Sequence, residues 1–213
     1  ELMFDIEYKG GNTVVISTKT SNLVVDPKLS VYGKKDIIVK DAVELATEDK
    51  FLTNNPEFKL SIGYPGSYEV SGFAINGFAE RLSTESDKNI LKGVVYSVSI
   101  SGVRIGILGN IDSKISDDQL ENLGILDIII LPVGGGNPVN ATAAATIARR
   151  SDAKVIIPIC YDDVELKYDV PQSELSLFLK EIGLESEKVS KYKVKSPATL
   201  PEKITVIELT RSK

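Results

Sequence analysis

The 213-residue chain contains no histidine and no tryptophan, one cysteine and one methionine. The missing histidine excludes the most. Imidazole is the usual general base near neutral pH and the commonest protein ligand for zinc and iron. Ser-His-Asp and Cys-His catalysis are therefore ruled out. Common zinc sites, built from histidines or from several cysteines, are ruled out with them. A lone cysteine, Cys160, forms no internal disulfide, so nothing in the sequence calls for an oxidising compartment. Long apolar runs are absent too, and none approaches the ~20 residues that span a bilayer. The opening ELMFDIEYKG lacks the basic start and apolar stretch of a secretory signal. Nor is there an excess of cations. The net charge is -5, which argues against nucleic acid or an anionic membrane as partner. The expectation is a soluble, cytoplasmic protein.

Hydrophobic residues make up 42% of the chain, enough for a sizeable core. No linker, charge block or low-complexity segment interrupts it, so residues 1–213 are read as a single domain. Strands dominate the first half. Phe4, Ile6 and Tyr8 alternate with Asp5, Glu7 and Lys9, the period of a half-buried strand. Gly10-Gly11-Asn12 is a turn signal before a second strand at 13–17. Further strands are expected at 23–25, 36–39, 72–79, 94–100 and 103–108. Residues 41–50 fit either a short helix or a strand followed by a turn. Helices alternate with strands in the second half. Ser116 and Gln119 form a capping-box pattern, and Asn140 can cap a helix running to Arg150. Residues 127–131 and 155–159 are continuous apolar strands of the kind buried on both faces. Pro171 suits the first turn of a helix carrying Leu175, Phe178, Leu179 and Ile182, with Gly183 as its stop. A strand at 204–209 closes the chain.

Several polar residues stand just beyond buried strands, where α/β proteins place their sites. Asp26 follows the strand at 23–25. Asn110 and Asp112 follow the one at 103–108. Asn140 closes the PVGGGNPVN stretch, and Cys160 and Asp162 follow the strand at 155–159. If these exits converge they form a polar cleft. The three glycines at 134–136 lack the spacing of a phosphate loop or a dinucleotide fingerprint, and read as a tight turn. Ser67 has no base to activate it. Cys160 lacks a cationic neighbour in sequence to lower its pKa, and reads as a small, partly buried residue.

Taken in order, these stretches resemble the Zn-dependent hydrolase branch of the metallo-β-lactamase superfamily. The similar segments are YKGGNTVVI (8–16), LVVDPKL (23–29), YPGSYEVSGFAINGF (64–78), VRIGILGNI (103–111), DIIILPVGGGNPVNATAAA (127–145) and VIIPICYDD (155–163). The resemblance implies an α/β (α+β) fold, a four-layer αβ/βα sandwich with two mixed β-sheets and an active cleft along one edge. It also implies zinc, but the ligands do not carry over. Gly11 stands at the place of an early histidine, Asn110 at that of the bridging aspartate, and Asn140 at that of an aspartate before the last long helix. Cys160 stands at the place of the final histidine. The His-x-His-x-Asp-His motif, expected after the strand at 36–39, has no counterpart in VKDAVELATEDKF. A metal-activated water needs such ligands. Residues Gly11, Asp26, Asn110, Asp112, Asn140, Cys160 and Asp162 are thus expected to line a vestigial cleft with no catalytic or metal-binding residues and no cofactor. The expected function is a non-catalytic binding or interaction module for a small molecule or a protein. The alternative is a hydrolase of the same family that uses Asp26, Asp112, Cys160 and Asp162 as oxygen and thiolate ligands.

Overall fold

A computed structural model describes residues 1–136 and 139–213. Its strands are β1 (Phe4–Gly10), β2 (Thr13–Thr18), β3 (Asn22–Val25), β4 (Val43–Leu45), β5 (Leu60–Ile62), β6 (Gly66–Val70) and β7 (Phe73–Glu80). After them come β8 (Gly93–Ile100), β9 (Val103–Ile107), β10 (Ile128–Pro132), β11 (Val155–Ile159), β12 (Ser186–Val189), β13 (Tyr192–Val194) and β14 (Thr205–Leu209). The α-helices are α1 (Asp117–Glu121), α2 (Ala141–Arg150) and α3 (Leu175–Ile182). One mixed sheet runs β13-β1-β2-β3-β4-β5, and the other β12-β14-β11-β10-β9-β8-β7-β6.

Side-chain alternation sorts the two cores. Phe4, Ile6 and Tyr8 of β1 meet Ile128, Ile130, Ile157 and Ile159 in one large cluster between the sheets. The alternate residues Ile129, Leu131 and Ile156 turn the other way, onto Ala144, Ile147, Phe178 and Ile182 of α2 and α3. Strands β10 and β11 pair in parallel and are buried throughout. Two covered faces explain why they read as unbroken apolar runs. Ser116 and Gln119 form the expected capping box on α1, and the Asn140 side chain accepts from the Ala143 N–H at 2.9 Å at the start of α2. Arg149 donates to the Ile182 carbonyl, which ties α2 to the end of α3.

The sequence reading needs correcting in two places. Residues 36–39 form no strand. Ile37, Ile38 and Val39 instead lie across the outer face of the six-stranded sheet, against Val15, Val24, Ala42 and Phe58. Apolar residues cover that face without joining the ladder, so composition alone mimicked a strand. The strand beside β3 is β4, followed by a 3-10 turn at Asp49–Phe51. Pro171 lies outside α3, whose N-cap is Glu174. Short β5, β12 and β13 carry too little alternation to be seen in advance; β13 pairs antiparallel with β1 and brings residues 192–194 back to the first sheet.

The loop after β4 is fixed by a buried acid. Glu44 accepts from the Thr53 N–H (2.6 Å), the Thr53 hydroxyl (2.5 Å), the Asn54 N–H (3.1 Å) and the Ser61 hydroxyl (2.6 Å). Four donors satisfy both carboxylate oxygens in a fully buried position. Removing the acceptor leaves these donors unpaired. Glu44→Ala should therefore lose about 3 kcal/mol in urea unfolding, on the scale of breaking a buried charge-assisted network. A loss below about 1 kcal/mol would mean the loop is held by other contacts.

Candidate functional site

Four strand exits and the β1–β2 turn converge at one edge, between the sheets. The Cys160 N–H donates to the Gly11 carbonyl at 3.0 Å. It lies 3.0 Å from the Tyr8 hydroxyl as well, and that hydroxyl donates to the same Gly11 carbonyl at 2.8 Å. Tyr8 thus joins the β1–β2 turn to the end of β11. Asn12 Nδ2 donates to Asn110 Oδ1 at 3.3 Å, which joins the same turn to the end of β9. Asp26 receives the Thr47 N–H and the Thr47 hydroxyl, both at 2.7 Å, linking the exits of β3 and β4. Thr47 in turn lies against Gly109, where a Cβ would sit 2.4 Å from Thr47 Oγ1, so only glycine fits there.

Two exits are strained. Asp26 has φ 49° and Cys160 φ 51°, left-handed values that non-glycine residues rarely adopt. Such conformations cluster where a loop must aim a group at a site.

The electrostatics are those of a site neutralised from within. Burial pushes the Asp26 carboxyl up to about 8 despite its bonds from Thr47, so it is mostly protonated at neutral pH. Burial likewise raises Glu48, against which the Lys50 ammonium sits at 3.1 Å. Asp112 pairs with Arg81, and Asp163 with Arg211 at 2.6 Å. Burial pushes the Cys160 thiol up to about 12, although the Tyr168 hydroxyl beside it pulls the other way. It is a neutral thiol without a base, not a nucleophile.

A small aromatic cluster covers the site. Leu29, Tyr32, Ala46, Phe51 and Leu166, with Tyr168 partly buried, form a group separate from both main cores. The Tyr32 ring stacks tilted on Tyr168 at 4.8 Å and on Phe51 at 6.0 Å. It also lies directly over Gly11. That glycine has φ 54°, and a Cβ on it would meet the ring at 2.8 Å. No side chain fits at position 11 while Tyr32 holds this place.

Of the residues expected in the cleft, Gly11, Asp26, Asn110 and Cys160 meet there. Asp112 and Asn140 lie outside it, lining a separate depression of about 240 Å³ with Gly135 and Gly136. Asp162 is exposed, its N–H bonded to the Ser173 carbonyl. The glycine run behaves as a turn: the Gly134 N–H donates to the Cys160 carbonyl and the Gly135 N–H to the Val139 carbonyl, so neither is offered to an anion. Asn137 and Pro138 of that stretch lie outside the described residues. Sequence reasoning missed Tyr8, Asn12, Tyr32, Thr47, Glu48, Lys50 and Tyr168. The first is masked as a core aromatic. Thr47, Glu48 and Lys50 were overlooked because residues 41–50 fitted either a short helix or a strand followed by a turn, which left the exit of β4 unmarked.

The donor set does not fit a zinc ion. Among the described residues, no three His, Cys, Asp or Glu side chains are grouped to hold a metal. The nearest acids are protonated or paired with a cation, and the thiol is neutral.

Comparison with known proteins agrees with this architecture. Residues 5–160 match the family model of the Beta-lactamase superfamily domain, and the chain belongs to that family. The structure is similar to a protein from Thermotoga maritima described as a candidate Zn-dependent hydrolase of the metallo-β-lactamase superfamily. There the TM-score is 0.77 at 22% identity, over 97% of this chain and 98% of that one. It is also similar to Igni18, a metallo hydrolase from Ignicoccus hospitalis (TM-score 0.60, 12% identity, 84% and 90% covered). A third likeness is to the metallo-β-lactamase fold protein YhfI from Bacillus subtilis (0.58, 9%, 99% and 98%). At these identities the likeness shows the fold alone. A search of curated protein sequences returned no match. No helix among the described residues is long and apolar enough to cross a membrane.

The raised Asp26 makes a directional prediction. Its folded pKa, about 8, lies above the ordinary 3.8, so the folded state holds a proton that the unfolded chain releases. This stabilisation is complete below the unfolded value and is lost as pH rises toward the folded one. Asparagine mimics the protonated acid and tolerates the left-handed backbone. Asp26→Asn should therefore gain stability relative to wild type as pH rises from about 4 to about 8, by up to ~1.4 kcal/mol per unit, and level off above. Urea midpoints across that range test it; a pH-independent difference would mean that Asp26 is ionised in the fold.

Proposed function

We propose that this member of the β-lactamase superfamily domain family is a binding module without catalytic metal. Its fold is that of the family's hydrolases. Its cleft is read as a recognition site for a small molecule or a protein, with no cofactor and no bound water activated for attack.

The observation that carries the reading is the Tyr32 ring over Gly11. At the position where the family resemblance expects a histidine, there is neither a donor nor room for one. The surroundings support it. Asn12 and Asn110 offer neutral amides where a divalent ion would need anionic or imidazole ligands. Lys50 is paired with Glu48 at 3.1 Å, so that carboxylate already has a cation. The alternative, a hydrolase using Asp26, Asp112, Cys160 and Asp162, gains no support from their placement. Asp112 is engaged by Arg81, Asp162 is exposed, and Asp26 and Cys160 are held neutral. Thiol hydrolysis fails on the same neutral, fully buried Cys160.

Elemental analysis of protein expressed with zinc, manganese and iron in the medium should find well below one equivalent of any of them per chain. A screen against phosphodiesters, lactones and thioesters, with and without added divalent ions, should find no turnover above the blank. Stoichiometric metal that disappears in Cys160→Ala, or metal-stimulated turnover that disappears in Asp26→Ala, would overturn the reading.

A further inference from the structure

Beneath the aromatic cluster lie polar atoms with nothing to bond. Asn12 is 1% exposed and Asn110 3% exposed, yet Asn12 Oδ1 and Asn110 Nδ2 make no well-formed hydrogen bond among the described residues, although the Tyr32 hydroxyl stands near Asn110. The Tyr168 hydroxyl is also buried, and its neighbour, the Cys160 thiol, gives it no well-formed bond. Buried polar groups are nearly always satisfied, and each one left bare costs roughly 1–3 kcal/mol. Three in one neighbourhood, an amide acceptor, an amide donor and a hydroxyl, point to something that bonds them. The surroundings carry no unpaired charge: two amides, two phenols, a neutral thiol, a mostly protonated acid and the Glu48–Lys50 pair at 3.1 Å.

The cover over them is held by apolar contact within the cluster and by polar links at its rim. Lys34, next to the 3-10 turn that carries Tyr32, pairs with Glu165 at 2.8 Å. Glu165 and Asp163, just before Leu166, both pair with Arg211 of the C-terminal tail, at 2.9 Å and 2.6 Å. The Arg211 stem crosses Gly10 beside Leu166, and the Ser212 N–H donates to the Tyr8 carbonyl at 2.8 Å. Among the described residues, one main-chain bond, Lys167 N–H to the Tyr32 carbonyl at 2.9 Å, joins the two covering loops to each other. Partly exposed ion pairs of this kind contribute little individually and weaken in salt. Segments held this way open at low free energy while the core stays closed.

We propose that the buried polar atoms of Asn12, Asn110 and Tyr168, uncovered when the aromatic cluster moves aside, form a gated binding site for a small uncharged molecule that carries both a hydrogen-bond donor and an acceptor. The aromatic cluster is its lid, and the Lys34–Glu165–Arg211–Asp163 network is the latch. The proposal deepens the metal-free reading above and rests on it. A neutral ligand suits neutral walls: its donor meets Asn12 Oδ1 and its acceptor meets Asn110 Nδ2. An ion would lose its hydration and meet no unpaired counter-charge, since Lys50 and Glu48 already pair with each other.

Cys160, the single cysteine, sits fully buried under the lid and reports its opening. The test is the rate at which N-ethylmaleimide modifies it at constant pH and matched ionic strength. Arg211→Ala and Glu165→Gln should each speed labelling about tenfold, as expected for losing two linked ion pairs. Arg211→Lys should restore part of the slow rate. Wild type should label faster in high salt, and Arg211→Ala much less so. In Arg211→Ala, acetamide should slow labelling roughly twofold near its dissociation constant, whereas acetate and methylammonium should not. Unchanged labelling in both latch variants would overturn the gate. So would an acceleration matched by an equal fall in global stability in urea. Equal protection by acetamide and by the two ions, or none by any, would overturn the ligand class. Metal analysis of the same samples separates these failures from failure of the metal-free reading, which would show as stoichiometric ion.

Discussion

The structure depends on one constraint: polar strand ends are buried together between two sheets, and each must be satisfied without a counter-ion from outside. The solutions differ by residue. Asp26 keeps a proton and takes two bonds from Thr47. Glu48 takes the Lys50 ammonium. Asn12 and Asn110 need no charge at all and bond each other. Tyr8 supplies a hydroxyl that bridges two main-chain loops. Unbalanced buried charge is among the most expensive defects a fold can carry, so these devices form a consistent set.

That set is possible because the frame beneath is independent of it. The inter-sheet core draws on strands from both sheets, and the second apolar layer under α2 and α3 lies on the opposite face of the larger sheet. Neither layer requires the exits to hold anything in particular. A change of chemistry at the exits leaves the alternation of β10 and β11 intact. Family membership and the loss of a ligand set are therefore compatible, and the first says nothing about whether the second occurred.

How far the sequence could be read follows the same division. Strands β1, β10 and β11 were legible because burial on one face or two leaves a period of two or an unbroken apolar run. The caps of α1 and α2 were legible because a side chain bonds a backbone group three residues away, a local event. Residues 36–39 misled because Ile37, Ile38 and Val39 cover a sheet face without pairing in it, and burial alone cannot tell the two apart. The strand next to β3 lay within 41–50, which fitted either a short helix or a strand followed by a turn, so the exit carrying Thr47, Glu48 and Lys50 was not marked. At the site, Gly11, Asp26, Asn110 and Cys160 were found from their positions after strands. Asp112 and Asp162 stand in similar positions but turn to Arg81 and to solvent. Direction, unlike position, depends on long-range packing. Tyr32 and Tyr168 come from the loops that continue past the ends of β3 and β11, and only their contact in three dimensions reveals a cover.

A bound ion would have a mechanical role as well as a chemical one, since its ligands cross-link loops from separate strands and couple metal binding to folding. Something must supply those links here. Three of them are visible: Tyr8 joins the first turn to β11, the amide pair joins it to β9, and Asp26 joins the exits of β3 and β4. Each is a neutral or nearly neutral hydrogen bond with a modest net contribution. Together they hold the floor of the site in register, but they leave the covering loops largely to apolar contact and to ion pairs at the rim. A site closed by an ion is fastened at its centre. This one is fastened at its edge, which is why its floor can stay rigid while its cover moves.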